Sequence, residues 1–156
     1  MSAIESRIAE LGLEVPEVAA PVAAYVPAAR TGDYVYTSGQ LPVVDGKLPS
    51  TGKVGENGVS LEEAAKLAEI CALNGLAAAR GVLGSLDRIE QVVKVTAYVA
   101  SETNFTDQAL VANGASVLLG KIFGDSGIHV RSAVGVAVLP LDAPVEIEFI
   151  FKAAAE

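Results

Sequence analysis

The 156-residue chain is long enough for one domain with a substantial core but too short for two comfortable ones. Hydrophobic residues make up 51% of it and charged residues only 19%, so a monomer would have little polar surface to cover itself and a large apolar interface is expected. The net charge of -8, with 11 scattered basic residues, argues against nucleic acid as the main partner, because phosphate backbones are bound by clustered Lys and Arg.

The first third of the chain predicts a helix and then a β-hairpin. Residues 2–13 are amphipathic and form the predicted first helix, which lacks the basic and apolar regions of a signal peptide. An irregular link bracketed by prolines follows at 16–21. Val22 to Arg30 and Tyr34 to Thr37 are predicted as short strands, because a Gly-Asp pair between β-forming residues is typical of a hairpin turn.

The middle of the chain predicts a long loop and a long helix. Residues 44–58 are rich in Gly, Pro and Ser, and a loop of this length in a compact domain is usually functional or mobile. Ser60 and Glu63 have the spacing of a capping box, and the helix they begin is expected to end near Gly84. Its apolar stripe contains Cys71, the single cysteine, so no internal disulfide can form and a cytoplasmic location is expected.

The last third of the chain predicts a strand, a helix and two more strands. Ile89 to Ala100 alternates between apolar and polar residues, as a strand does, and a helix is predicted from about 106 to 123. The stretch from His129 to Phe151 contains two strands joined at Leu139 to Pro144. Since two prolines in so short a connection favour a turn, these strands are expected to pair as antiparallel neighbours.

The resulting order is helix, strand, strand, helix, strand, helix, strand, strand. It predicts a single α+β domain over residues 1–156, in which two helices pack on one face of a mixed sheet. No run approaches the ~20 apolar residues of a membrane span, so no membrane partner is expected. The other face of the sheet would stay uncovered in a monomer, and we expect it to be buried against identical sheets in a closed ring.

Three charged residues on the last two predicted strands are the most informative feature of the sequence. On the final strand, alternation places the apolar residues on the core face and Glu146 and Glu148 on the other. Arg131 shares its face with Ala133 and other small residues, which leave room for a guanidinium above the sheet. We therefore expect Arg131, Glu146 and Glu148 to lie together on the uncovered face.

Arg131 and Glu146 are nevertheless expected to be far apart within one chain. In a hairpin of the last two strands, Glu146 would lie opposite about Leu139, and Arg131 would be roughly eight residues, or ~25 Å, away along the strand. A site that uses both side chains must then be completed by another copy of the chain or formed by a different register.

The charged and polar candidates each have more than one interpretation. Arg131 is either an interface residue paired with a carboxylate or a clamp for a ligand carboxylate, to which its planar fork of donors is suited. Glu146 is either an ion-pair partner or a group that orients water and exchanges protons. His129 is the only histidine and is interpreted as a turn residue, and no cluster has metal-ligand spacing, so no metal site is expected. Ser38 lacks an adjacent base, which argues against serine hydrolysis.

Three segments of the chain resemble the YjgF/RidA family. They are YVPAARTGDYVYTSGQ at 25–40 with the Leu-Pro that follows, VKVT at 93–96, and the pattern RS(x)6LP(x)4VEIE that begins at Arg131. The resemblance spans most of the domain. It implies a chorismate-mutase-like α+β subunit, with sheets that form the interior of a homotrimer and ligand sites in the clefts between subunits. In that arrangement the site arginine and glutamate come from different subunits.

The resemblance also implies an activity and site residues. The deaminase branch of the family hydrolyses reactive enamine and imine intermediates, released by pyridoxal-phosphate enzymes, to 2-oxo acids and ammonia. Arg131 is similar to the arginine that holds the substrate carboxylate, and Glu146 to the glutamate that helps to place the attacking water. Tyr25 resembles a tyrosine that lines the pocket, and Ser38 and Gly39 resemble the turn at the imine end. No cofactor is implied, because the iminium carbon is already electrophilic and needs only a placed water and proton transfer.

Two positions depart from the compact family pattern. Ala133 stands where many deaminase members have cysteine, so a thiol contribution is absent and only a main-chain contact is left. The helix around Asn113 resembles a longer subgroup, so Asn113 is a candidate for the asparagine of compact members. Two other functions stay open: a non-catalytic trimer that binds a small carboxylate metabolite, and an endoribonuclease, against which the acidic charge counts.

Overall fold

A five-stranded mixed sheet with helices on one face makes up the protein in the computed structural model, which describes residues 2–18 and 23–156. The helices and strands in chain order are α1 (Ala3–Glu10), β1 (Ala28–Thr31), β2 (Tyr34–Thr37), α2 (Leu61–Leu83), β3 (Ile89–Ala100), α3 (Gln108–Phe123), β4 (Val130–Val136) and β5 (Val145–Ala153). The predicted order and the α+β class are confirmed. β1 begins later than predicted, and Val22, like residues 19–21 of the predicted link, lies outside the described residues.

The ends of α2 follow from local hydrogen bonds and one glycine. The Ser60 hydroxyl accepts from the main-chain N–H of Glu63 at 3.1 Å, which satisfies one of the free donors at the start of the helix. The other half of the predicted capping box does not form, because the Glu63 carboxylate accepts from the Ser50 hydroxyl instead. The helix ends where Gly84 adopts a left-handed φ of 80°.

The second half of the 44–58 loop is fastened to the body of the domain. The main-chain N–H of Gly52 donates to the carbonyl of Asp142 at 2.8 Å, and that of Val54 donates to Ala100 at 2.7 Å. The Glu102 carboxylate accepts from the N–H of Asn57 at 3.0 Å. This segment therefore has a fixed place beside the end of β3 and the β4–β5 connection.

The sheet order is β1-β2-β5-β3-β4, in which only β3 and β4 run parallel. The prediction that the last two strands pair with each other is therefore wrong, because β3 lies between them. The unit β3-α3-β4 is a crossover connection, which brings β4 parallel to β3 at the edge of the sheet. β5, whose core face is fully apolar, takes the central position between β2 and β3.

One face of the sheet forms the core with the helices. Val95 and Ala97 of β3 and Ile147 and Phe149 of β5 are completely or almost completely buried on this face. Gly75 of α2 packs directly on Phe149, where an added Cβ would come within 2.6 Å of a ring carbon. Full burial of a valine, isoleucine or phenylalanine side chain stabilises the fold by about 1.5–3 kcal/mol.

The other face of the sheet carries exposed apolar side chains. Val130 and Val134 of β4 are 65% and 45% exposed, and Tyr34 and Tyr36 of β2 are 41% and 45% exposed. An apolar patch of this kind is typical of an interaction surface. Within the two described ranges, the helices lack the combination of length and apolarity that crossing a bilayer requires.

Candidate functional site

Arg131 lies on the helix-covered side of the sheet, not on the open face. It pairs in register with Val95, and two residues later Ala133 pairs with Ala97, both of which are buried against the helices. The prediction that Arg131 shares a face with Glu146 and Glu148 is therefore wrong. The physical reason is that β4 is an edge strand, where a long polar side chain on the core face still reaches the rim and α3.

The Arg131 guanidinium is held by one stripe of α3. Its Nη1 donates to Asn113 Oδ1 at 2.8 Å and to Ser116 Oγ at 3.1 Å, and its Nη2 donates to the carbonyl of Ala109 at 3.3 Å. Ala109, Asn113 and Ser116 are four and three residues apart, so they lie on the same side of the helix. The contact with Asn113 joins two of the residues that the sequence singled out.

The positive charge of Arg131 has no counter-ion among the described residues. The acceptors that hold it are an amide, a hydroxyl and a main-chain carbonyl, and the ion pairs found in this part of the chain involve Arg30, Arg80 and Lys152 instead. The interpretation of Arg131 as an arginine paired with a carboxylate thus finds no support within these residues. A half-buried guanidinium with neutral neighbours is suited to an external anion such as a carboxylate.

A second cluster forms around Glu146 on the open face. Gly39 packs against this side chain, since an added Cβ would meet Glu146 Cδ at 2.8 Å and Oε1 closer still. The main chain holds Gly39 beside Glu146, because the next residues along each segment, Gln40 and Ile147, exchange main-chain hydrogen bonds of 2.8 and 3.0 Å. A residue with a Cβ at position 39 would therefore require the Glu146 carboxylate to move from this position.

Ser38 and Tyr25 lie near this second cluster, as the chain passes through the turn before Gly39. The Ser38 hydroxyl donates to the carbonyl of Val26 at 2.6 Å, and the main-chain N–H of Ser38 donates to the carbonyl of Pro27 at 2.8 Å. These bonds tie the segment after Tyr25 to the segment before Gly39. The Tyr25 side chain is 51% exposed, so it is available to a ligand or a partner.

The electrostatics of Glu146 differ from those of an ordinary surface carboxylate. Burial raises the pKa of the Glu146 carboxyl above its usual range, and the nearby charge of Glu148 raises it further. Glu148 itself accepts from the Tyr98 hydroxyl at 3.2 Å, whereas no hydrogen bond to the Glu146 carboxylate is found within residues 2–18 and 23–156. Glu146 can therefore take up and release a proton closer to neutral pH than a free glutamate, as a general base must.

The arginine cluster and the glutamate cluster cannot hold one ligand within one chain. Arg131 aligns with Val95 and Phe149, and Glu146 lies three residues further along β5, so the two Cα atoms are ~14 Å apart by strand spacing and rise. The separation of ~25 Å expected from a hairpin is thus too large. The opposite faces, rather than the distance, keep the two side chains apart.

The remaining predicted residues take places that the sequence only partly indicated. His129 forms two hydrogen bonds, as expected for a satisfied turn histidine: Nδ1 lies 2.6 Å from the Gly127 carbonyl and Nε2 lies 2.8 Å from Ser116 Oγ. Ala133 packs against the core two residues from Arg131. Ser116 was missed by sequence reasoning, because its position one turn after Asn113 becomes informative only once Arg131 is known to lie against this side of the helix.

Two cavities formed by the described residues lie close to the two clusters. A groove of about 210 Å³ between α2 and α3 has Asn113 in its wall, and a cavity of about 140 Å³ on the open face has Glu148 in its wall. Neither reaches Arg131 or Glu146. The central charged group of each cluster therefore lies outside these two cavities.

Comparison with known proteins gives consistent matches over more than nine-tenths of the chain. A family model described as "YjgF/chorismate_mutase-like, putative endoribonuclease" matches residues 5–153. Protein TCP17 of Trypanosoma cruzi is 40% identical over 146 residues, which cover 93% of this chain and 91% of that protein. The crystal structure of Atu1372, a protein of unknown function from Agrobacterium tumefaciens, is 43% identical, has a TM-score of 0.90, and is matched over 97% of this chain and 93% of that one.

A second solved structure extends this picture. A putative endoribonuclease from Shewanella oneidensis MR-1 is 31% identical and has a TM-score of 0.91, with 97% of this chain and 99% of that chain covered. Both structures match nearly the whole of this chain.

Proposed function

This chain is a member of the YjgF/RidA family, and we propose that it hydrolyses reactive enamine and imine intermediates such as 2-iminobutyrate to 2-oxo acids and ammonia. The proposed sites lie in clefts between the subunits of a homotrimer. The observation that carries the proposal is the Arg131 guanidinium, which is held in place by neutral acceptors and has no carboxylate partner among the described residues.

Arg131 would bind the carboxylate of the substrate. Its Nη1 and Nη2 are each anchored to α3, so the orientation of the guanidinium plane is fixed before the ligand arrives. The donors that are not directed at α3 can then form two parallel, charge-assisted hydrogen bonds with a carboxylate. A substrate held in this way has its imine carbon at a defined position beside the cleft.

Glu146 of a neighbouring copy would place and deprotonate the attacking water. The water oxygen forms a bond to the iminium carbon while Glu146 accepts one of the water protons and passes it to the nitrogen. The carbon–nitrogen bond then breaks as the hydroxyl oxygen forms the carbonyl and gives its remaining proton to Glu146, which releases it to solvent. The products are a 2-oxo acid and ammonia, so no oxidant or reductant is consumed. Burial raises the pKa of Glu146 towards neutral pH, which favours these proton transfers over those of a free glutamate.

The homotrimer is supported by two features of the single chain. The open face of the sheet carries exposed valines and tyrosines, which a monomer would leave in water. The arginine and glutamate clusters also lie on opposite faces, so each can be completed only by another surface. In a closed ring of identical subunits, the arginine cluster of each copy would face the glutamate cluster of its neighbour.

A non-catalytic carboxylate-binding trimer is the second candidate, and one observation favours it. Ala133 lies two residues from Arg131 on the same face, where many deaminase relatives have cysteine, so the arginine cluster contains no thiol. The name of the Shewanella relative brings in endoribonuclease activity as a third candidate. The net charge of -8 counts against it, because RNA backbones are bound by basic surfaces.

Hydrolysis of 2-iminobutyrate, generated in situ by a threonine dehydratase, tests the proposal. The wild type should accelerate the release of ammonia, and Arg131→Ala should abolish the acceleration and the binding of 2-oxobutyrate in calorimetric titrations. Arg30→Ala is the matched control, since Arg30 is a guanidinium on the opposite edge strand of the same sheet and lies outside both clusters.

Three outcomes separate the candidates. Acceleration by the wild type and by Arg30→Ala, but not by Arg131→Ala, supports the deaminase. Binding of 2-oxobutyrate without any acceleration favours the binding protein and contradicts the deaminase. Unchanged affinity of Arg131→Ala for 2-oxobutyrate contradicts both.

A further inference from the structure

A chain of hydrogen bonds connects Arg131 with the turn before β4. Arg131 Nη1 donates to Ser116 Oγ at 3.1 Å, and the same oxygen lies 2.8 Å from His129 Nε2. His129 Nδ1 lies 2.6 Å from the carbonyl oxygen of Gly127. The chain of bonds thus begins at a main-chain group and ends at the guanidinium that is proposed to bind substrate.

The directions of these bonds follow from the chemistry of the groups. A carbonyl oxygen can only accept, so His129 Nδ1 carries a proton and donates it to Gly127. In a neutral imidazole the other nitrogen, Nε2, is then an acceptor, and the Ser116 hydroxyl must donate to it. With its hydrogen directed at His129, Ser116 Oγ presents a lone pair to Arg131.

We propose that Ser116 and His129 are positioning residues for Arg131. Ser116 holds the guanidinium directly, and His129 acts only through Ser116. His129 fixes the rotation of the Ser116 hydroxyl, which otherwise could turn its hydrogen towards the guanidinium and lose the bond. Asn113 holds the same Nη1 independently of His129, at 2.8 Å. The role in substrate binding rests on the proposed function, but the holding of Arg131 itself does not.

The first test measures the rotation of the Arg131 guanidinium about its Nε–Cζ bond by NMR in the ligand-free protein, with Arg131→Lys to assign the signal. Ser116→Ala and His129→Ala should each speed the rotation severalfold. The double variant should rotate no faster than Ser116→Ala alone, because His129 acts only through that hydroxyl. Asn113→Ala combined with His129→Ala should instead show additive effects, since the two residues hold Nη1 separately.

Two conservative variants separate this role from simple support of the turn. His129→Gln keeps an acceptor within reach of Ser116 but loses the bond to Gly127, and His129→Asn does the reverse. Our proposal predicts near-wild-type rotation for His129→Gln and fast rotation for His129→Asn. The opposite ranking, or additive effects of Ser116→Ala and His129→Ala, would overturn it.

The second test measures the affinity for 2-oxobutyrate in the same variants. Ser116→Ala and His129→Ala should weaken binding about five- to tenfold, because the free guanidinium is less well ordered before the ligand arrives. If the wild type binds no 2-oxobutyrate although the rotation rates are coupled as predicted, the proposed function fails and the positioning of Arg131 stands. If the wild type binds but the variants bind equally well, the positioning role in binding is wrong and the proposed function stands.

Discussion

Arg131 and Glu146 lie on opposite faces of the same sheet. Arg131 is in register with buried Val95, and Glu146 is in register with Tyr98, three residues further along β3. Because side chains alternate between the two faces of a strand, this odd separation places them on different faces. In the proposed function, each side chain supplies one part of the reaction and needs the other to complete it. The guanidinium lacks an anion, and the carboxylate has a raised pKa and no hydrogen bond within the described ranges. The simplest way to combine them is to place the edge strand of one copy against the open face of another.

The contact between Gly39 and Glu146 predicts a variant that separates catalysis from binding. Gly39→Ala should displace the Glu146 carboxylate, since the new Cβ would lie 2.8 Å from its Cδ. We expect kcat for 2-iminobutyrate to fall roughly 10- to 100-fold, as displacement of a catalytic group by about 1 Å can do. The affinity for 2-oxobutyrate should stay within about twofold, because Arg131 is not affected.

Gly120→Ala is the control for Gly39→Ala, since an added Cβ at Gly120 finds no atom within 4 Å. It should leave both kcat and affinity unchanged. Equal loss of affinity and kcat in Gly39→Ala would show that the two clusters are not separate, and wild-type kcat would remove Glu146 from the mechanism.

The raised pKa of Glu146 predicts the pH dependence of the reaction. A general base must be deprotonated, so the rate should rise with pH through a value above the usual pKa of glutamate. Glu146→Gln should lose this limb together with most of the activity, whereas Glu148→Gln should move the limb to lower pH, because the neighbouring charge that helps to raise the pKa is gone. A rate profile measured from pH 4 to 8 checks both; a limb that stays in place in Glu148→Gln would contradict this assignment.

The same pKa shift predicts an effect on stability with a definite sign. A carboxyl whose pKa is raised by folding binds more protons in the folded state than in the unfolded state, so its contribution to stability falls as pH rises between the two pKa values. Glu146→Gln should therefore raise the melting temperature at pH 7 relative to the wild type, and this gain should vanish at pH 4 or below. A stabilisation that does not depend on pH would show that the carboxyl is not desolvated by folding.

The packing of α2 on α3 predicts a sharp difference between two glycines of one helix. A Cβ at Gly114 would clash with the main chain of Ala65, with the carbonyl carbon only 2.7 Å away, and main chain cannot move aside as a side chain can. Gly114→Ala should lower the free energy of unfolding by about 1–3 kcal/mol or more. Gly120→Ala has free space and should raise it by up to about 1 kcal/mol through helix propensity. Urea unfolding measures both, and equal effects would contradict the close helix contact.

The sequence predicted the features that depend on neighbours along the chain. β2 and β3 have the predicted bounds, because a Gly-Asp turn between β-forming residues marked β2 and period-2 alternation identified β3, and α2 runs from its Ser60 cap to Gly84 as expected. The pairing of β4 with β3 rather than with β5 could not be predicted, because it depends on a crossover through α3 and not on the prolines between β4 and β5. The wrong face for Arg131 has a separate cause, because alternation along one strand does not show that a long polar side chain at a sheet edge can lie on the core face and reach the rim.

The candidate site shows the same division between local and non-local information. The motifs identified Arg131, Glu146, Ser38 and Gly39, and the main chain brings the last three together. Ser116 escaped detection because a serine in a helix has no special pattern until its partner on another strand is known. The hydrogen bond between the Glu63 carboxylate and Ser50 could not be predicted either, because it also depends on a partner from another segment of the chain.

Subunit complementation shows whether Arg131 of one copy and Glu146 of another form a single site. Arg131→Ala and Glu146→Gln should each be inactive with 2-iminobutyrate as homo-oligomers. When the two variants are co-expressed with different tags and the mixed trimers are purified away from both homotrimers, roughly a third of the clefts combine an intact arginine with an intact glutamate, one in each mixed trimer. Our account predicts recovery of about that fraction of wild-type activity; mixed assemblies that remain as inactive as the parent variants would contradict a site shared between subunits.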